Sequence, residues 1–242
     1  MKRFIKPVII VSVLIIIITI VALLMLRYEV EGEVNMPFNL SRIIVVSSAE
    51  GIQSENTENI WDLDIIQNND IYLEITKNEQ YKKKELIDSI ILDNFKTEKQ
   101  PSKGEIVVLK PTESGTGFYK VTEENIIKDQ MKYTGSQETD ISNLEISNQG
   151  GRIQFRYTNK NLGKYTSNEQ EEIIHNGDIL KKISITSEDI KAKVSFDITI
   201  KLISEKQYKA TIVLEIPEGN VEEEGTTSLE KTDMKDIIFK RI

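Results

Sequence analysis

Residues Pro7 to Leu26 read PVIIVSVLIIIITIVALLML, twenty positions without a charge, and only Ser12 and Thr19 carry hydroxyls. At ~1.5 Å per residue a helix of this length covers about 30 Å, the hydrocarbon thickness of a bilayer. Lipid demands that a spanning segment satisfy its own backbone, which a helix does. Pro7 falls in the first turn, where its missing N–H is least costly. The expectation is therefore a transmembrane signal anchor over residues 7–27, after a short cytoplasmic tail of residues 1–6. A cleaved signal peptide would carry a shorter apolar region and a small-residue cleavage site. Leu24-Met25-Leu26-Arg27-Tyr28 offers no such site.

Orientation follows from the flanks. Lys2, Arg3 and Lys6 precede the run, whereas Glu29, Glu31 and Glu33 follow Arg27. The basic side stays in the cytoplasm, so residues 28–242 are expected outside a cytoplasmic membrane, held by the lipid bilayer through residues 7–27. A tail of six residues leaves no room for an N-terminal cytosolic kinase or DNA-binding domain. Removing the four basic groups of residues 1–27 from the 31 in the chain leaves 27 against 39 acids, a formal charge of −12. Such a surface disfavours nucleic acid and anionic lipid as partners. The chain has no cysteine, which removes disulfides, thiolate metal sites and thiol nucleophiles together. A disulfide-free exported domain of this size fits a bacterial envelope.

The exported part alternates with period two, the signature of half-buried strands. Trp61, Leu63 and Ile65 share one face and Asp62 and Asp64 the other; Ile71, Leu73 and Ile75 repeat the pattern. Asn68-Asn69-Asp70 between them reads as a hairpin turn. Trp61, the only tryptophan, is expected as a core anchor. Gly150-Gly151 precedes an alternating Ile153, Phe155 and Tyr157. Asn176-Gly177 reads as a second hairpin turn, between Ile173-Ile174 and Ile179 to Ile185. Val194 to Leu202 and Ala210 to Ile216 form a long hairpin, followed by an acidic loop at 219–225 and a last strand near Asp236 to Lys240. Leu86 to Phe95 fits a helix or a strand, and the β-rich flanks favour the strand. Glu123 to Lys132 fits a short helix or a loop. The expected fold is mainly β: a transmembrane helix followed by an antiparallel β-sandwich, either one large sandwich or two immunoglobulin-like units with a junction near 122–140.

Chemistry-bearing residues are sparse. His175 is the only histidine, beside Glu171, Glu172 and Asp178; its place next to Asn176-Gly177 makes it a solvated turn residue, and zinc needs more ligands than this. Asp62, Asp64 and Asp70, with Asn68 and Asn69, form the one calcium candidate, brought together if the chain turns at 68–70. They lack the spacing of a calcium-binding loop. Gly115-Thr116-Gly117 has the glycines of a phosphate loop without its lysine. No cofactor is implied. The sequence points to a non-catalytic recognition, adhesion or scaffold module whose partners are envelope proteins or polysaccharide. The alternative is a cell-envelope hydrolase, or its accessory subunit, acting through carboxylates that sequence does not single out.

Overall fold

The computed structural model describes residues 2–26, 29–30, 36–53, 61–112, 121–138, 140–167 and 173–242. Helix α1 (Lys2–Leu26) precedes strands β1 (Glu29–Val30), β2 (Phe38–Gln53), β3 (Trp61–Lys77), β4 (Ile87–Lys99) and β5 (Glu105–Leu109). Strands β6 (Gln130–Ser136), β7 (Glu145–Ser147) and β8 (Gly151–Ser167) follow, then helix α2 (Gly177–Lys182) and strands β9 (Ala192–Leu202) and β10 (Gln207–Ile216). Helix α3 (Val221–Glu224) and strands β11 (Thr226–Lys231) and β12 (Phe239–Arg241) end the chain.

The strands make two sheets, β1-β12-β10-β9-β4-β6-β7 and β11-β2-β3-β8-β5. Among the described residues every pairing of these strands is antiparallel except β6 with β7. The inner faces share one apolar core, in which Phe155 of the five-stranded sheet meets Phe196 of the seven-stranded sheet edge to face at 5.0 Å. Both sheets contain strands from before and from after residues 122–140, so neither sheet belongs to one half of the chain.

Alternation explains the clearest elements. Val194, Phe196, Ile198, Ile200 and Leu202 all point inward from β9 and are fully buried. Their partners on β10 follow in register, with Phe196 opposite Ile212 and Ile198 opposite Ala210, as the hairpin expectation requires. The segment from Leu86 is the strand β4, and the acidic loop contains the single turn α3. Residues 122–125 form turns, Ile126 makes an isolated bridge to Leu109, and β6 begins at Gln130.

Two expected turns are corrected. Asn68-Asn69-Asp70 is not a turn: β3 runs unbroken from Trp61 to Lys77, and Asn68 and Asn69 lie buried at its centre. Asn176-Gly177 is not a hairpin tip either. Asn176 has φ −58°, outside the positive-φ region that a type I′ turn demands, and it precedes α2. Ile179 and Leu180 of α2 bury against Val221 of α3 in a second, smaller core with Ala49, Ile65 and Tyr165. Gly177 is required by that contact, because an added Cβ would sit 2.2 Å from the Val221 carbonyl oxygen and 2.5 Å from that of Glu222. In a solvated helix Gly→Ala gains ~1 kcal/mol. Gly177→Ala should instead destabilise by roughly 1–3 kcal/mol through overpacking, read as a fall in Tm.

Residues 11–23 of α1 are exposed throughout. Among the described residues no helix is long and apolar enough to cross a membrane. The expected span Pro7–Leu26 extends past residues 11–23 on both sides.

Candidate functional site

The inner face of β3 changes chemistry halfway along. Ile71, Leu73 and Ile75 belong to the main core, while Gln67 and Asn69, on the same face by parity, are polar and fully buried. They form a belt between the two apolar cores. The Asn69 side-chain oxygen accepts from Ser47 Oγ at 2.8 Å and from Gln67 Nε2 at 2.9 Å, and Asn69 Nδ2 donates back to Gln67 Oε1 at 3.1 Å. Ser47 Oγ also accepts the Glu218 N–H at 3.1 Å. On the opposite face Thr158 Oγ1 donates to Asn68 Oδ1, and Asn68 Nδ2 donates to Glu50 Oε2, each at 2.8 Å. Buried amides with these bonds fix the register of β2, β3 and β8, since a slip would strand several at once. Among the described residues the buried Tyr157 hydroxyl has no hydrogen-bond partner, and burial pushes its pKa far upward.

The aspartates expected to converge do not. Asp62 and Asp70 are eight residues apart on one strand, roughly 25 Å at the usual rise per residue. Asp70 is held by Arg156, with Nε to Oδ1 at 2.6 Å and Nη2 to Oδ2 at 2.9 Å. Asp62 accepts from Thr166 Oγ1 at 3.1 Å, and Asp64 lies 3.5 Å from Lys164 Nζ. A calcium site over all three is therefore corrected: it required the turn that β3 does not make. Among the described residues no group of three His, Cys, Asp or Glu side chains is placed to hold a metal ion.

His175 is half-buried at the start of α2. Its Nδ1 accepts the Gly177 N–H at 3.1 Å, and Nε2 lies 3.6 Å from Asp178 Oδ1. Asp178 Oδ2 in turn accepts the N–H groups of Ile174 and His175, at 3.0 and 3.3 Å. These bonds shape the helix start. Gly115-Thr116-Gly117 and the side chain of Trp61 lie outside the described residues.

Two clusters emerge that sequence reading did not find. On the outer face of the seven-stranded sheet, Asp197 is almost fully buried and bonds Thr211 Oγ1 at 2.6 Å, Lys209 Nζ at 3.0 Å and Asn94 Nδ2 at 3.2 Å. Desolvation raises its pKa, and those three hydrogen bonds outweigh it, leaving the carboxyl below the ordinary range. With every neighbour committed, the cluster is a structural tie between β4, β9 and β10. On the outer face of the five-stranded sheet, Arg42 joins Glu74 and Glu230, and Arg152 lies over the Tyr72 ring at 5.9 Å. An open groove beside them is lined by Glu74, Thr76, Lys77, Gln149 and Arg152. Its charged, solvent-facing walls differ from the concave, mostly apolar form of small-molecule pockets. Only their cross-strand neighbours distinguish these residues from other solvated charges, so period-two reading could not mark them. No protein-family model, no curated protein and no solved structure matches this chain.

Proposed function

We propose that this chain is a single-pass protein of the cytoplasmic membrane, with its N-terminus inside, presenting an extracytoplasmic β-sandwich for recognition, adhesion or scaffolding of envelope proteins or polysaccharide. The observation that carries the anchor is the state of residues 11–23: apolar side chains such as Ile15 and Leu23 are each 58% exposed on a helix beside a domain that closes its own core. A contiguous exposed apolar surface of this kind requires a membrane or a partner. The Thr19 hydroxyl donates to the Ile15 carbonyl at 2.8 Å, which satisfies it within the helix as lipid requires. The basic residues Lys2, Arg3 and Lys6 support the inside placement of the N-terminus.

A binding role is supported by the sheet edges. Among the described residues strand β11 pairs with β2 alone, and such an edge of six residues can accept an extended segment of another chain. Its exposed Ser228, in a chain with no cysteine, suits a topology test. Ser228→Cys should react with a membrane-impermeant maleimide on intact cells. Labelling only after permeabilisation would overturn the orientation.

A further inference from the structure

We propose that the anchor-proximal end of the sandwich docks on anionic phospholipid headgroups through Lys82, Lys83 and Lys84. The inference rests on the membrane-anchored reading above. Leu26 ends α1 and Glu29 begins β1, so their Cα atoms are at most about 11 Å apart. Glu29 pairs with Lys240 of β12, and Lys240 pairs with Lys209 near the start of β10. The helix therefore enters the seven-stranded sheet at the end where β10 begins.

Two connections meet at that end. The turn after β9 and the segment between β3 and β4 pack together, with the Ile203 N–H donating to the Leu86 carbonyl at 3.0 Å and Lys206 Nζ held by Glu85 and the Tyr81 hydroxyl. The β3–β4 segment presents Lys82, Lys83 and Lys84 consecutively and exposed, and none makes a salt bridge among the described residues. Strand spacing puts the β9–β10 turn within about 15 Å of the strand that follows the anchor. Ile203 beside it is 56% exposed, an apolar side chain suited to a bilayer interface.

Glu79 and Glu205 are exposed beside the lysines, but the acidic run of α3 lies away from this contact. Strand β10 runs from Gln207 at the anchor end to Ile216, about 30 Å away, and the acidic α3 follows Ile216. That separation is several Debye lengths at physiological salt, ~8 Å each. Headgroups at the anchor end therefore meet the lysines and are screened from Glu222, Glu223 and Glu224. Each lysine near an anionic surface favours the docked state severalfold, so neutralising three should reduce its population on the order of 100-fold.

The test uses the full chain in vesicles of phosphatidylcholine with or without phosphatidylglycerol. A fluorophore on Gln80→Cys reports on the anchor end, one on Ile174→Cys on the far end, and headgroup-quencher lipids read proximity. Docking predicts stronger quenching at position 80 with phosphatidylglycerol, reversed by ~1 M salt and lost in the triple variant Lys82→Gln, Lys83→Gln, Lys84→Gln. Position 174 should not respond, and the triple variant should keep its Tm. Equal quenching in both vesicle types, or quenching unchanged by the triple variant, overturns the docking while leaving the anchor intact. Release of the protein from vesicles by alkaline carbonate instead overturns the anchor, and with it the orientation on which docking depends.

Discussion

Phe196→Ala should destabilise the sandwich by about 3–5 kcal/mol, the usual range for truncating a core aromatic ring. Phe196 is fully buried at the middle of β9. Its ring stacks on Phe95 at 6.0 Å and meets Phe155 edge to face, so it contacts side chains of both sheets. Alanine would leave a cavity between the two layers that neither sheet can close without moving the other. A typical domain has ~5–15 kcal/mol in total, so the loss is a large share of the stability. Urea denaturation followed by far-ultraviolet circular dichroism reads it directly. Val213→Ala, on the exposed face of the adjacent strand, should stay within ~0.5 kcal/mol of the parent. Similar midpoints for the two variants would contradict the shared core.

Asn69→Leu should cost about 2–4 kcal/mol, although the two side chains are close in size. Leucine removes the acceptor used by both Ser47 Oγ and Gln67 Nε2, and the donor to Gln67 Oε1. Each buried polar group left without a partner costs ~1–3 kcal/mol. At a solvated hairpin turn the same substitution would be nearly neutral. The measurement thus separates the buried belt from the turn that the bare string Gln67-Asn68-Asn69-Asp70 suggests. Denaturation midpoints of the parent and Asn69→Leu decide it, a shift of less than ~0.5 kcal/mol being the outcome expected of a surface turn.

The belt also shows where local reading stops. Leu63, Ile65, Ile71, Leu73 and Ile75 are all odd-numbered, and their phase holds across the asparagines. An uninterrupted strand was therefore compatible with the pattern, but Asn and Asp are common turn residues, and propensity favoured the break. The partners that make Asn69 affordable in a core, Ser47 and the β8 strand, lie 22 and 88 residues away in sequence. Asn176-Gly177 fails for the same kind of reason. The dipeptide is a strong hairpin signal by itself, yet Val221 and Glu222 supply the carbonyls that pack against Gly177. The aspartate cluster failed with the turn it depended on.

The amino-acid sequence by itself determined the features that depend on neighbours a few positions apart. These are the charge-free apolar run, the basic-then-acidic flanks, the β class, and the β9–β10 hairpin with its buried face. Each is written in a local period or a local charge order, and a two-residue repeat needs no distant partner to be read. Tertiary structure alone decided which strands share a sheet, that polar amides form a buried belt, and that Asp70 meets Arg156 rather than Asp62 and Asp64. It also placed Lys82, Lys83 and Lys84 at the end of the seven-stranded sheet where β1 and β10 begin, and the acids of α3 beyond the end of β10. Summed charge carries no position, and only the strand order assigns each charged side chain to an end or a face of a sheet.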